Sequence, residues 1–234
     1  MAFRRLDPGE TVATVAQLVR RIEERFPGAG LVGVCEELLA LAKESEEKAA
    51  RIARPLPVLR AGVGLVVAAI VAVLCYSISM IDIEPGSLAP GDLVQAVEAS
   101  LNALALIGAA IFFLVTMENR VKRARALAAL HELRSMAHVI DMHQLTKDPA
   151  IPGVEAIDTP SSPHRTLSEF ELARYLDYCS EMLSLLGKIA ALYAQTSADR
   201  EVTSAVNEVE VLTTGLSSKI WEKIQTIHAS HRAD

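Results

Sequence analysis

The stretch HVIDMHQLTKDP at 138–149 brings two histidines and two aspartates into twelve positions. His131 and His138 are seven residues apart, which places them on one face of a helix, and Asp141 follows His138 by three. Two imidazoles and a carboxylate could hold a divalent metal, the only cofactor these residue types suggest. The spacing narrows that reading, because seven residues of straight helix rise about 10.5 Å, too far for His131 and His138 to share an ion. His138 and Asp141 therefore remain as the metal candidate, which Glu132, Glu169, Glu171 or His164 could complete across helices, although nothing local requires it.

The alternative is a polar network of His131, Arg134, His138, Asp141, His143 and Asp148. In it Asp141 would fix His138 by a hydrogen bond, and Asp148 before Pro149 would start a turn. The segment would then be a junction, not a reaction centre. No catalytic residue is assigned. HELRS at 131–135 lacks the second histidine of a zinc-protease motif, and the chain has no phosphate-binding glycine loop, nucleophile elbow or clustered Cys/His spacing.

The elements that must position this stretch follow from hydropathy. The 234 residues are 51% hydrophobic and only 4% aromatic, and most of the apolar excess lies in residues 61–81 and 99–117, neither of which contains a charge. Runs of about 20 residues match a hydrocarbon core about 30 Å thick. Two transmembrane helices are expected. A signal peptide is the poorer reading of the first run, since some sixty residues of charged, amphipathic sequence precede it.

Flanking charge sets the orientation. Arg51, Arg54 and Arg60 precede the first run, and Arg120, Lys122, Arg123 and Arg125 follow the second, whereas 82–98 holds Asp82, Glu84, Asp92 and Glu98 without a base. The positive-inside rule places both termini in the cytoplasm of a plasma or bacterial inner membrane. The basic collar could also attract anionic lipid headgroups. With a net charge of −6, no nucleic-acid partner is expected. Cys35, Cys75 and Cys179 form no CxxC pair and read as packing residues.

The rest of the chain has helical periodicity. Val12, Val15, Leu18, Val19, Ile22 and Phe26 recur at helical spacing until FPGAG stops the run, and a second helix begins near Leu31, with a break or bend near Pro55 and Pro57. A helix of about fifty residues, some 75 Å long at about 1.5 Å per residue, is expected from a capping box at Asp92 and Gln95 to about residue 143. A second box at Thr166 and Glu169 would open a helix with a coiled-coil seam of Leu172, Leu176, Cys179, Leu183, Leu186, Ala190 and Tyr193. After TSAD, Val202, Val206, Val209, Leu212, Leu216, Ile220, Ile224 and Ile227 form a matching stripe, so the two helices should pair as an antiparallel hairpin.

The expected fold is therefore all-α: an integral membrane protein with two transmembrane helices and a cytosolic helical bundle that includes a C-terminal antiparallel hairpin. Its divisions are N-terminal cytosolic helices at 1–57, a span at 58–81, an external acidic loop at 82–98 and a second span at 99–117. A cytosolic extension at 118–146, a Pro-rich linker at 147–165 and the hairpin at 166–234 follow. Within the spans, Gly64, Ala68 and Ala72, and likewise Ala105 and Ala109, form small-residue ridges suited to close helix approach.

IDIEPG at 81–86 resembles the acidic selectivity motif of the mitochondrial-type calcium uniporters in Asp82, Glu84 and Pro85, but the Asp-to-Glu spacing departs from that family's pattern. The motif also starts a loop instead of the second span, so the calcium function is not carried over. The two-span architecture with cytosolic helices resembles the membrane effectors of bacterial nucleotide-signal defence systems, without a shared motif. Three functions follow in order. The first is a homo-oligomeric two-span protein that uses its cytosolic helices for assembly or recognition of a protein partner, as sensor, scaffold or effector. The second is an ion pore with Asp82 and Glu84 at its outer mouth. The third is a membrane-anchored metal-dependent enzyme.

Overall fold

The computed structural model describes residues 5–79, 90–147, 149, 160 and 166–230. It is all-helical, with no strand among the described residues. Six helices follow in order: α1 (Pro8–Arg25), α2 (Gly30–Ala53), α3 (Pro57–Ser79), α4 (Pro90–Leu145), α5 (Glu169–Thr196) and α6 (Arg200–Ser230). The chain divides into two compact units, one formed by 1–53 with 123–234 and the other by 54–122.

In the first unit, local chemistry sets the helix ends. Asp7 caps α1, accepting from the amides of Gly9 at 2.9 Å and Glu10 at 3.4 Å. Gly28, at φ 73, turns the chain from α1 into α2, a backbone conformation that side chains with a Cβ resist. The first helix of the hairpin, α5, starts two residues later than the Thr166–Glu169 box predicts. Ser168 and Glu171 form the box instead, with the Ser168 amide donating to Glu171 Oε2 at 2.8 Å. TLSEFE contains both patterns, and packing separates them. A cap at Ser168 puts Leu167 just before the helix and Leu172 in its second turn, the pairing of a hydrophobic staple, and both pack on the core.

The predicted seam of α5 is buried from Leu176 to Tyr193, and the stripe of α6 is buried at all its positions except the half-buried Leu212. These two helices, joined by Ser197–Asp199, pack principally on each other, and α5 also packs on α1 and α2. The second part of α4 adds Ala126, Leu130, Leu133, Met136, Ala137 and Ile140 to the same core. Thus its apolar stripe has found partners within the chain. Cys35 and Cys179 are fully buried in this core, and burial pushes both thiols up to about 12.

The second unit has a different character. Proline ends α2 and starts α3 across Arg54–Leu56, because a residue before proline avoids helical backbone while proline suits the first helical position. The same preference starts α4 at Pro90, so Asp92 lies in the first turn and is not the predicted N-cap. The apolar runs of α3 and α4 have mean hydropathies of 2.5 and 2.1 over 18 residues and are almost wholly unburied in the chain. Both are long and apolar enough to cross a membrane by length and composition. Partly covered positions recur along one face of each: Val63, Val67, Ile70 and Leu74 on α3, and Ile107, Ala110 and Leu114 on α4 after the buried Ala103.

Leu183 lies fully buried in the α5 seam and Val211 lies exposed on α6. Leu183→Ala is expected to cost about 2–5 kcal/mol, and Val211→Ala to stay within about 0.5 kcal/mol. Thermal unfolding of detergent-solubilised full chain, followed by helical circular dichroism, measures both, and equal effects would contradict the core assignment.

Candidate functional site

The end of α4 is the point where the sequence-based candidates can be located. His138 is exposed and Asp141 is half-buried. The Asp141 carboxylate accepts from Gln144 Nε2 at 2.6 Å, so its nearest polar partner is on its own helix, one turn on. His131 and Arg134 are exposed, and Arg134 reaches Glu208 of α6 at 3.4 Å. Among the described residues, no group of three or more His, Cys, Asp or Glu is arranged to hold a metal ion. Asp148 and His164, with Asp82 and Glu84 of the acidic loop, lie outside the described residues.

What holds this end of α4 is a lysine that the sequence did not single out. The last carbonyls of a helix have no partners within it. Lys223 Nζ, from α6, donates to the Gln144 carbonyl at 3.1 Å and the Lys147 carbonyl at 3.4 Å. A cation at that position also complements the negative end of the helix dipole. Gln144 is buried, and its Oε1 has no hydrogen-bond partner among the described residues.

Further ion pairs run along the same helix. Arg123 binds Asp199 at 3.4 Å and also Glu201, so it meets both the capping aspartate and the first turn of α6. Glu132 binds Lys48 of α2 at 2.7 Å. Contacts of Arg123, Arg134 and Gln144 with Asp199, Glu208 and Lys223 rise together in number, which makes the second part of α4 parallel to α6. On the other side, α1 is fastened to α5. Arg21 makes a two-point contact with Glu181 at 2.6 and 3.0 Å, and Phe26 meets the rings of Tyr175 and Tyr178 edge-on at 5.7 and 6.3 Å.

His143 faces the start of α2, where a Cβ added at Gly30 would come within 3.2 Å of its Cε1. Lys147 places its ammonium 5.5 Å from the centre of the Tyr175 ring. Both side chains line a cavity of about 530 Å³ with residues of the α1–α2 turn and the entry to α5. The structure thus brings His143 together with Lys147 and Tyr175, and leaves His131 and His138 outside that cavity.

Among the described residues of the other unit, one charged residue is buried. Glu118, one residue beyond the second apolar run, is only 6% exposed and lies between Arg60 of α3 at 3.1 Å and Lys122 at 2.8 Å. Hydrogen bonds from Lys122 and Arg60 hold its carboxyl at about 2, well below its ordinary range. Gly64, Ala68, Ala72, Ala105 and Ala109 are all exposed, so the small-residue ridges lie away from the partly covered seam.

Comparison with family models, curated proteins and solved structures finds no match. The arrangement itself must carry the functional reading.

Lys223→Met should destabilise the chain by about 0.5–2 kcal/mol, with Lys223→Arg retaining part of the loss, as read from thermal unfolding. Equal unfolding temperatures for Lys223→Met and the parent would refute the capping role. For Glu118 the folded value lies below the unfolded one, so its contribution is fully present above about 4.5 and disappears as pH falls through about 2. A cycle of Arg60→Gln and Glu118→Gln should give coupling that is constant from pH 7 to pH 5 and fades below pH 4. Coupling that persists unchanged to pH 2 would exclude the ionised pair.

Proposed function

We propose that this chain is a two-span integral membrane protein with two parts: a pair of lipid-facing helices and a helical recognition and assembly unit. The observation that carries this reading is the contrast between the two units. Large apolar side chains are exposed along both apolar runs, among them Leu65, Val73, Leu104, Phe112 and Phe113, while the aliphatic stripes of α5 and α6 are buried. A contiguous apolar surface of that kind needs lipid or protein to cover it. The ends of the runs add support, since Arg60, Glu118 and Lys122 form an ion-paired polar boundary beside them.

The same contrast supports the proposed division of labour. The α5–α6 hairpin with α1, α2 and the second part of α4 forms a core of its own, sufficient to present a fixed surface to a partner. The exposed ridges of Gly64, Ala68 and Ala72 and of Ala105 and Ala109 leave room for close approach of a second copy within a bilayer. Self-association through the spans and recognition through the bundle make a sensor, scaffold or effector the functional class, with the termini on the basic, cytoplasmic side.

Membranes from cells expressing the full chain provide the test. The protein should stay with the membrane fraction through an alkaline carbonate wash and float with the lipid, and release into the supernatant would remove the two-span reading. Light scattering in detergent should give a protein mass that is a multiple of 25.2 kDa. A single-protomer mass under mild detergent would overturn self-association and leave membrane insertion standing.

A further inference from the structure

Among the described residues, the cavity at the end of α4 has a polar wall without a carboxylate. His143, Thr146 and Lys147 come from the end of α4 and the residues just after it, Thr166 from the approach to α5, and Gly30 from the start of α2. Their side chains offer an ammonium, an imidazole N–H and two hydroxyl donors from separate segments. The backbone adds to that set. Val32 donates to the Ala29 carbonyl at 3.0 Å, whereas the amides of Gly30 and Leu31 have no partner among the described residues, and the first turn of α2 has no acidic residue.

The opposite wall is apolar and aromatic, formed by Phe26, Met142, Leu167 and Tyr175. At about 530 Å³ the space is larger than a free inorganic anion requires and falls in the range of small-molecule sites. We propose that this cavity binds the phosphate group of a small organic phosphate, with Lys147, His143, Thr146 and Thr166 around the phosphate and Phe26 and Tyr175 against the organic body. Donors that converge from three segments suit a tetrahedral group with three free oxygens better than a planar carboxylate. Lys147 supplies the countercharge by moving from the face of Tyr175 toward the anion.

This inference gives the recognition unit a ligand class and rests on the recognition reading for its purpose. The test uses purified full chain in detergent, with thermal unfolding followed at matched ionic strength in phenyl phosphate, inorganic phosphate, benzoate or chloride. Phenyl phosphate should raise the unfolding temperature saturably and at lower concentration than inorganic phosphate, with benzoate and chloride giving no saturable shift. Lys147→Met should weaken phenyl phosphate by about tenfold or more. Gly30→Ala, which crowds His143 without removing a charge, should weaken it as well, and Lys188→Met, on α5 beside Ser184, should leave it unchanged.

Micelles doped with phosphatidic acid separate a lipid headgroup from a soluble phosphate. A Lys147-dependent shift with the lipid alone supports the phosphate site and assigns its ligand to the membrane. No saturable shift with any phosphate, equal binding to Lys147→Met, or binding of benzoate as tight as phenyl phosphate overturns the proposal. A protein that floats with membranes yet shows no such shift fails this inference alone, and one that binds phosphate but washes off membranes fails the two-span reading alone.

Discussion

A helix end leaves carbonyl groups that its own backbone cannot satisfy, and the closure of α4 by Lys223 is the contact on which the local arrangement turns. Lys223 lies among Ile220, Ile224 and Ile227, the buried stripe of α6. Its position on the helix is therefore fixed by core packing before its charge is used. With the ammonium at the Gln144 and Lys147 carbonyls, the last turn of α4 is held beside α6, and His143 is held facing the start of α2. The polar end of α4 is thereby tied to the hairpin, and the cavity wall follows from that tie.

The other charge pairs choose register more than they supply stability. Arg134–Glu208 joins two side chains that are each more than half exposed, and exposed pairs contribute about 0–1 kcal/mol. Full burial of a leucine or isoleucine is worth about 1.5–3 kcal/mol, so the stripes of α5 and α6 dominate the free energy. Hydrophobic stripes tolerate sliding by a turn better than point charges do. Arg123 at the start of α6 and Lys223 near its far end pin one sliding position for α4, and Arg21 on Glu181 does so for α1 against α5.

Periodicity made most of the helices legible in the sequence, because burial along a helix repeats every three or four residues and needs no knowledge of the partner. The α5 seam from Leu176 to Tyr193 and the α6 stripe were readable for that reason. The Ser168 cap was within reach too, since Leu167 and Leu172 supply a staple that the Thr166 alternative lacks. Lys223 on the Gln144 carbonyl and Arg60 on Glu118 were not legible. These pairs join residues 79 and 58 positions apart, and only the packing of whole helices decides which distant charges meet. For His138 and Asp141 the spacing allows contact, and Gln144, three residues on, is the neighbour whose Nε2 donates to Asp141 at 2.6 Å.

The two units also show why small residues alone are a poor guide to which faces meet. Along α3 and α4 the partly covered seam is built largely from Val63, Val67, Ile70, Leu74, Ile107 and Leu114, while Gly64, Ala68, Ala72, Ala105 and Ala109 face outward. Branched aliphatic side chains fill the space between two helices at ordinary separation, whereas a glycine–alanine ridge gains its contacts only when a backbone comes unusually close. Placing the bulky face inward and the small face outward leaves the closest-packing surface unused by the chain itself. A buried, ion-paired Glu118 at the end of the seam penalises separation of α3 from α4, since an unpaired carboxylate there would be costly. The pair can thus act as a unit while its small-residue ridges stay exposed.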